Sequence, residues 1–184
     1  MNKIFKGVKF FKESRPFDTP TFKIFAKKKE KEIIRGWVEF PTDKKAVLTG
    51  LYYHEAIKDD SKYENHGFGT AILFFRVLYA FYGGCLKIKT MCFDEERTGK
   101  MYELLGMKKK NREYVGEYPK ELIQIIQKNA MVKVMCKIAL KGGVVLDNLI
   151  ETYKDVAEDL INSKFKDFGN KLLKAAEELE KRTA

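Results

Sequence analysis

Residues 63–73 read YENHGFGTAIL and set two glycines, Gly67 and Gly69, at the mouth of an apolar run that continues to about residue 82. The run predicts a helix, and a helix opened by glycine constrains a fold in a particular way. The first backbone amides of a helix lack intrahelical partners, and the helix dipole adds partial positive charge there. Glycines with no Cβ let an anion reach that main chain, so the stretch reads as a phosphate cradle.

The remaining composition narrows what could use such a cradle. The 184 residues are 45% hydrophobic and 34% charged, enough for one core or one core with an appended helical unit. A net charge of +10 attracts anionic partners. That charge is uneven: residues 1–143 hold 29 Lys/Arg against 17 Asp/Glu, and residues 144–184 hold 7 against 9. The three cysteines form no C-x-x-C pair, which argues against a disulfide framework or a metal site and suits a reducing, cytoplasmic setting. No run approaches the ~18 uninterrupted apolar residues of a membrane span, and residues 1–11 alternate lysine with apolar positions unlike a signal peptide.

Along the chain, residues 3–12 suit a first strand, and 14–20, with two prolines, break it. Residues 21–27, 32–40 and 46–57 alternate as three strands of a meander, with turns at 28–31 and 41–43. After the glycine-opened helix, Gly83 and Gly84 supply a C-terminal stop. A strand at 86–93, a helix at 95–105 and a strand at 108–115 follow, giving an α+β fold with one mixed sheet. Residues 120–140 read as one amphipathic helix. Residues 144–182 continue helically, with almost heptad spacing and a slip near 162–164. The division is a domain at 1–119 and a helical extension at 120–184, the latter packing on the domain or on another copy.

Two familiar phosphate loops do not fit. In G-x-G-x-x-G the third position is Ile72, and strands of antiparallel character precede it. A P-loop fails because Gly99-Lys100 lacks the earlier glycine and is followed by Met101. Residues 61–73, SKYENHGFGTAIL, do resemble motif A of the GNAT N-acetyltransferase superfamily, Q/R-x-x-G-x-G/A before an apolar helix. Residues 97–107, RTGKMYELLGM, resemble its motif B. The resemblance spans about residues 22–118.

That resemblance implies a GNAT-like acyl-CoA N-acyltransferase fold and acetyl-CoA as acyl donor. Its pyrophosphate would lie on the main chain of His66, Gly67, Phe68, Gly69 and Thr70. The strand ahead of the loop, with the Ile57 amide, would run beside the pantetheine arm. Tyr102 matches the tyrosine that protonates the departing thiolate, and a phenol with a reference pKa near ~10 can donate at neutral pH. Glu55 is the candidate base; His54 would face the other way, and a water chain could serve instead. His54 and His66 do not make a metal site.

Three departures stand out. Glu64 occupies the Gln/Arg position of motif A, Glu95 falls where many members carry Asn, and only about ten residues replace the two helices that wall the acceptor site. A helical extension also begins where a last strand is expected. The shortened wall suits a macromolecular amine, on a protein or an aminoacyl-tRNA, and direct transfer to it. The alternative is a GNAT-like binding or assembly module that associates through Leu149, Tyr153, Val156 and Leu160, a homo-oligomer built on residues 144–182. Binding to nucleic acid rests on the lysines alone, since no recognition motif is present.

Overall fold

The computed structural model describes residues 3–15, 17–53, 63, 66–91 and 95–184. Strands β1 (Val8–Arg15), β2 (Thr21–Lys28), β3 (Lys31–Thr42) and β4 (Lys45–Tyr53) pair as successive antiparallel neighbours. Helix α1 (Phe68–Tyr82) then crosses to β5 (Lys87–Met91), which lies parallel to β4. Helix α2 (Glu95–Leu104) leads into a hairpin of β6 (Met107–Lys110) and β7 (Glu113–Glu117), giving the order β1-β2-β3-β4-β5-β7-β6. Helices α3 (Lys120–Lys128), α4 (Ala130–Ile138), α5 (Leu146–Ile161) and α6 (Lys166–Thr183) complete the chain. The result is a mixed-sheet α+β architecture with four C-terminal helices.

Several local expectations are corrected. The meander has four strands, because β1 runs on to Arg15, and β3 runs through Pro41 to Thr42 at an irregular end where its partner supplies no ladder bond for proline to break. Residues 108–115 are two short strands turned at Asn111, whose φ of 59° is one that asparagine tolerates. The last strand is therefore present, as β7 between β5 and β6.

The run 120–140 is broken at Asn129, which ends α3 with an extended ψ and caps α4 by accepting a bond from the Val132 amide at 3.0 Å. Residues 144–182 form a helical hairpin in which α5 and α6 pack together, with the slip at 162–164 as the turn. Gly169 permits the close approach, since a Cβ there would stand 2.8 Å from the Ala157 carbonyl oxygen.

Helix α1 explains the outer layer. Its sequence, FGTAILFFRVLYAFY, is apolar on every side, and a helix of that kind must be covered on every side. One flank packs on β2, β3 and β4, and the other meets α3, α4 and α6. Helix α5 joins through Tyr153, whose hydroxyl donates to the Phe74 carbonyl at 2.7 Å while the two rings lie 4.8 Å apart. One hydrophobic cluster thus runs from Phe5 to Leu179. The face of β1–β3 away from α1 is closed by its own side chains: Lys23 and Lys27 stand over the Phe25 ring, and Arg15 stands over Trp37.

The four residues read as an assembly seam, Leu149, Tyr153, Val156 and Leu160, are fully buried inside this cluster. They hold α5 to its own chain and are closed to a second copy. The apolar periodicity was real, but its partner is α1.

Candidate active site

The parallel ladder between β4 and β5 joins Lys45–Leu48 to Lys87–Thr90 and stops there. Beyond it β4 stays with β3 as far as Tyr53, and Met91 of β5 pairs with Glu113 of β7. Among the described residues, then, the parallel ladder ends at Leu48 and Thr90, while each strand keeps its antiparallel partner on the other side. At the same level β4 carries an extra residue, Gly50, because Trp37 pairs with Thr49 and Gly36 with Leu51. A bulge of this kind turns backbone groups out of the ladder.

Arg76 of α1 reaches that bulge. Its side chain is buried, with Nη1 3.2 Å from the Thr49 carbonyl and 3.5 Å from that of Trp37. Burial lowers its pKa to about 10, and the nearby Tyr102 phenol works against that shift. Tyr102 of α2 is itself 7% exposed and stacked on Tyr114 of β7, ring centres 4.7 Å apart. Tyr114 in turn pairs with Thr90, the last residue of the parallel ladder. Tyr118 fixes the end of α2 by donating to the Leu105 carbonyl at 2.8 Å. Arg76 therefore links the Thr49 carbonyl of β4 by a hydrogen bond, and Tyr102 of α2 by charge, next to the last described pair of the parallel ladder. Arg76 was missed from sequence, although a single charge inside an otherwise apolar helix is a signal that it has buried partners.

The glycine loop lies at the start of α1. Gly67 is the N-cap, with a φ of 87° that L side chains rarely adopt, and no acidic residue stands in the first turn. Phe68 turns its ring into the core, stacked 4.1 Å from Phe5 and edge-on to Tyr63. Thr70 is buried, while His66 and Gly69 are half-buried. Glu55, Ile57, His54 and Glu64 lie outside the described residues, as does the Glu95 side chain.

Residue patterns gave no warning of what rests on this loop. The last turn of α6 lies against it: a Cβ on Gly67 would be 2.9 Å from Thr183 Cγ2 and 3.2 Å from the Arg182 carbonyl oxygen. Arg182 Nη1 lies 3.4 Å from Thr70 Oγ1. The carbonyl end of α6 thus faces the amide end of α1, partial negative charge toward partial positive. Lys100 of α2 and Glu178 of α6 tie the same helix to the other wall at 3.3 Å. The bare Gly67 backbone is used here to admit a helix of the same chain.

Among the described residues no cluster of three potential metal ligands occurs, and no helix is long and apolar enough to cross a membrane. No family model matches the chain, and no curated protein does. Among solved structures, an acetyltransferase from Streptococcus agalactiae 2603 is similar over 53% of this chain and 66% of its own, at 18% identity and a TM-score of 0.40. A likeness of that size says nothing about chemistry.

Proposed function

We propose that the chain is an acetyl-CoA-dependent N-acetyltransferase that passes an acetyl group directly to an amine, on a protein or an aminoacyl-tRNA. The observation that carries this reading is Arg76 of the glycine-started α1, which holds the Thr49 carbonyl just past the last described pair of the β4–β5 ladder and lies near enough to Tyr102 for the two charges to interact. In this reading the amides of residues 66–70 hold the pyrophosphate, and the Thr70 hydroxyl is a further ligand. Residues 54–58, with the Ile57 amide, flank the pantetheine arm. Tyr102 gives its proton to the departing thiolate, and the Arg76 cation beside it stabilises the phenolate that remains. Glu55 is the candidate base. The acceptor enters over the sheet face where Arg15 and Trp37 lie, which the short β1–β2 connection leaves without a helical wall.

The loop fits a pyrophosphate in its bare backbone and its freedom from acid in the first turn, but Arg182 and Thr183 stand over Gly67. Donor binding in this reading moves the last turn of α6. The same contact favours a second reading, a binding module of this fold whose loop is permanently closed by its own helix.

Titration of acetyl-CoA into the full chain separates the two. A ligand at a hundred times its Kd stabilises by about 2.7 kcal/mol, which for a chain of this size raises the melting temperature by roughly 5–10 °C. No shift and no heat at millimolar acetyl-CoA removes the enzyme reading and leaves the module. If the donor binds, Tyr102→Phe should lower kcat by about 10²-fold or more at unchanged donor affinity. A large loss of affinity instead would make Tyr102 a binding residue.

A further inference from the structure

Large apolar side chains exposed among the described residues concentrate between Met131 and Val145. Met131, Val134 and Ile138 are 37%, 54% and 41% exposed on α4, and Leu140 and Val145 continue the patch at 54% and 37%. The spacing of the three helical residues puts them on one side of α4, while Val132, Met135 and Cys136 face the core. The patch is anchored rather than loose: the Lys12 amide donates to the Ala139 carbonyl, and Phe10 and Val144 exchange a pair of backbone bonds. Between this stripe and α5 lies a groove of about 280 Å³, walled by Met131, Val134, Ile138 and Val144 on one side and Asn148 and Thr152 on the other. A contiguous apolar surface of this kind on a soluble fold marks a docking site.

The charges along its two banks say what docks. On α4 the far side of the stripe carries Lys133 and Lys137, both exposed, and α4 contains no acidic residue. On α5 the opposite bank carries Glu151, Asp155 and Glu158 around one cation, Lys154, which is paired to Glu151 at 3.4 Å and to Glu180 at 3.3 Å. Three carboxylates thus face one lysine, and the bank stays net acidic across the depression that adjoins Met131. Asp155 is held in place by the Asn129 side-chain amide at 2.6 Å. An apolar stripe with a basic bank and an acidic bank is its own complement.

We infer that this face is the seat of a second copy of the chain, in a two-fold dimer with α4 packed on α4. The charges also select the axis. A two-fold along the stripe sets each lysine bank against the partner's acidic bank, with the two helices parallel. A two-fold across the stripe would set lysine against lysine. The dimer is independent of the acyl-transfer reading, and it replaces the seam that the buried α5 residues cannot form.

The full chain is examined by sedimentation velocity and native mass spectrometry from about 1 µM to about 300 µM. A two-copy species is expected within this range. Val134→Asp with Ile138→Asp should weaken it by about 100-fold, with the far-UV spectrum and melting curve of the monomer kept, because both side chains are exposed. Lys133→Glu with Lys137→Glu, and separately Glu151→Lys with Glu158→Lys, should each self-associate poorly, and an equimolar mixture of the two should recover the two-copy mass. A chain that is monomeric throughout overturns the proposal, as does an oligomer indifferent to the apolar pair. Failure of the mixture to recover a dimer overturns the parallel arrangement. A different protein seated on the patch of a monomeric chain also overturns the second copy as occupant.

Discussion

Tyr153 shows how one residue can be read correctly in kind and wrongly in partner. It falls on the apolar side of α5, as the spacing requires, but its ring and hydroxyl both go to Phe74 of α1. Tyr153→Phe keeps the packing and removes one buried hydrogen bond, so the chain should lose about 1–2 kcal/mol of stability, read as a fall of several degrees in melting temperature. The mass in solution should not change; a change would return Tyr153 to an interface role. Arg76 is the counterpart, a residue whose identity alone was informative. A charge in a wholly apolar helix has to find carbonyls, and it finds those of Thr49 and Trp37 at the bulge. Gly67 is the third case. The motif marked it as bare backbone open to an anion, whereas its positive φ and the occupant of the space beside it came only with the fold.

At the level of elements, α6 decides how the candidate site behaves. Its last turn covers Gly67, and Arg182 reaches Thr70. Removing residues 182–184 takes away the carbonyls and the methyl group that lie over the loop. The expected outcome is a several-fold gain in acetyl-CoA affinity by calorimetry, with some loss of melting temperature because Thr183 is buried. Weaker binding would mean that the turn helps to hold the donor.

The broken helix at Asn129 belongs to the same scale. The apolar period runs across the break without a slip, so periodicity alone joins α3 to α4. The cap signal was one asparagine, which acquires its meaning only when α5 brings Asp155 and Asp159 within 2.6 and 2.8 Å of its amide.

Over the whole molecule, pH acts through buried neutral groups. Burial pushes the Cys85 and Cys136 thiols up to about 12, and it raises the phenols of Tyr79, Tyr118 and Tyr153 above their ordinary range. In the unfolded chain thiols titrate near ~8.5 and phenols near ~10. Below the unfolded values both states are protonated and these groups contribute no pH dependence. Above them the unfolded chain releases protons that the folded chain keeps, so stability falls. Arg76 acts the other way, since its lowered value of about 10 leaves the unfolded chain binding more protons above that pH. Lys12, lowered by burial as well, acts in the same sense as Arg76, and with two thiols and three phenols against these two cations the melting temperature should decline from about pH 8.5 upward. A curve that is flat to pH 11 would mean these groups are not buried in solution. The same burial should leave Cys85 and Cys136 unreactive toward a thiol reagent in the folded chain at neutral pH.

The sequence alone determined the order and type of most elements, the mixed sheet and the glycine-opened start of α1, because period, glycine position and turn residues are local properties of the chain. The tertiary structure decided which surfaces meet. Helix α1 is apolar all round, and that fact demands covers without naming them; α5 and α6 were assigned only by folding back across more than seventy residues. The pairing of β7 with β5, which sets Met91 against Glu113, and the turn of α6 over Gly67 have the same origin. Each depends on a partner distant in sequence, and a local pattern carries no record of its partner.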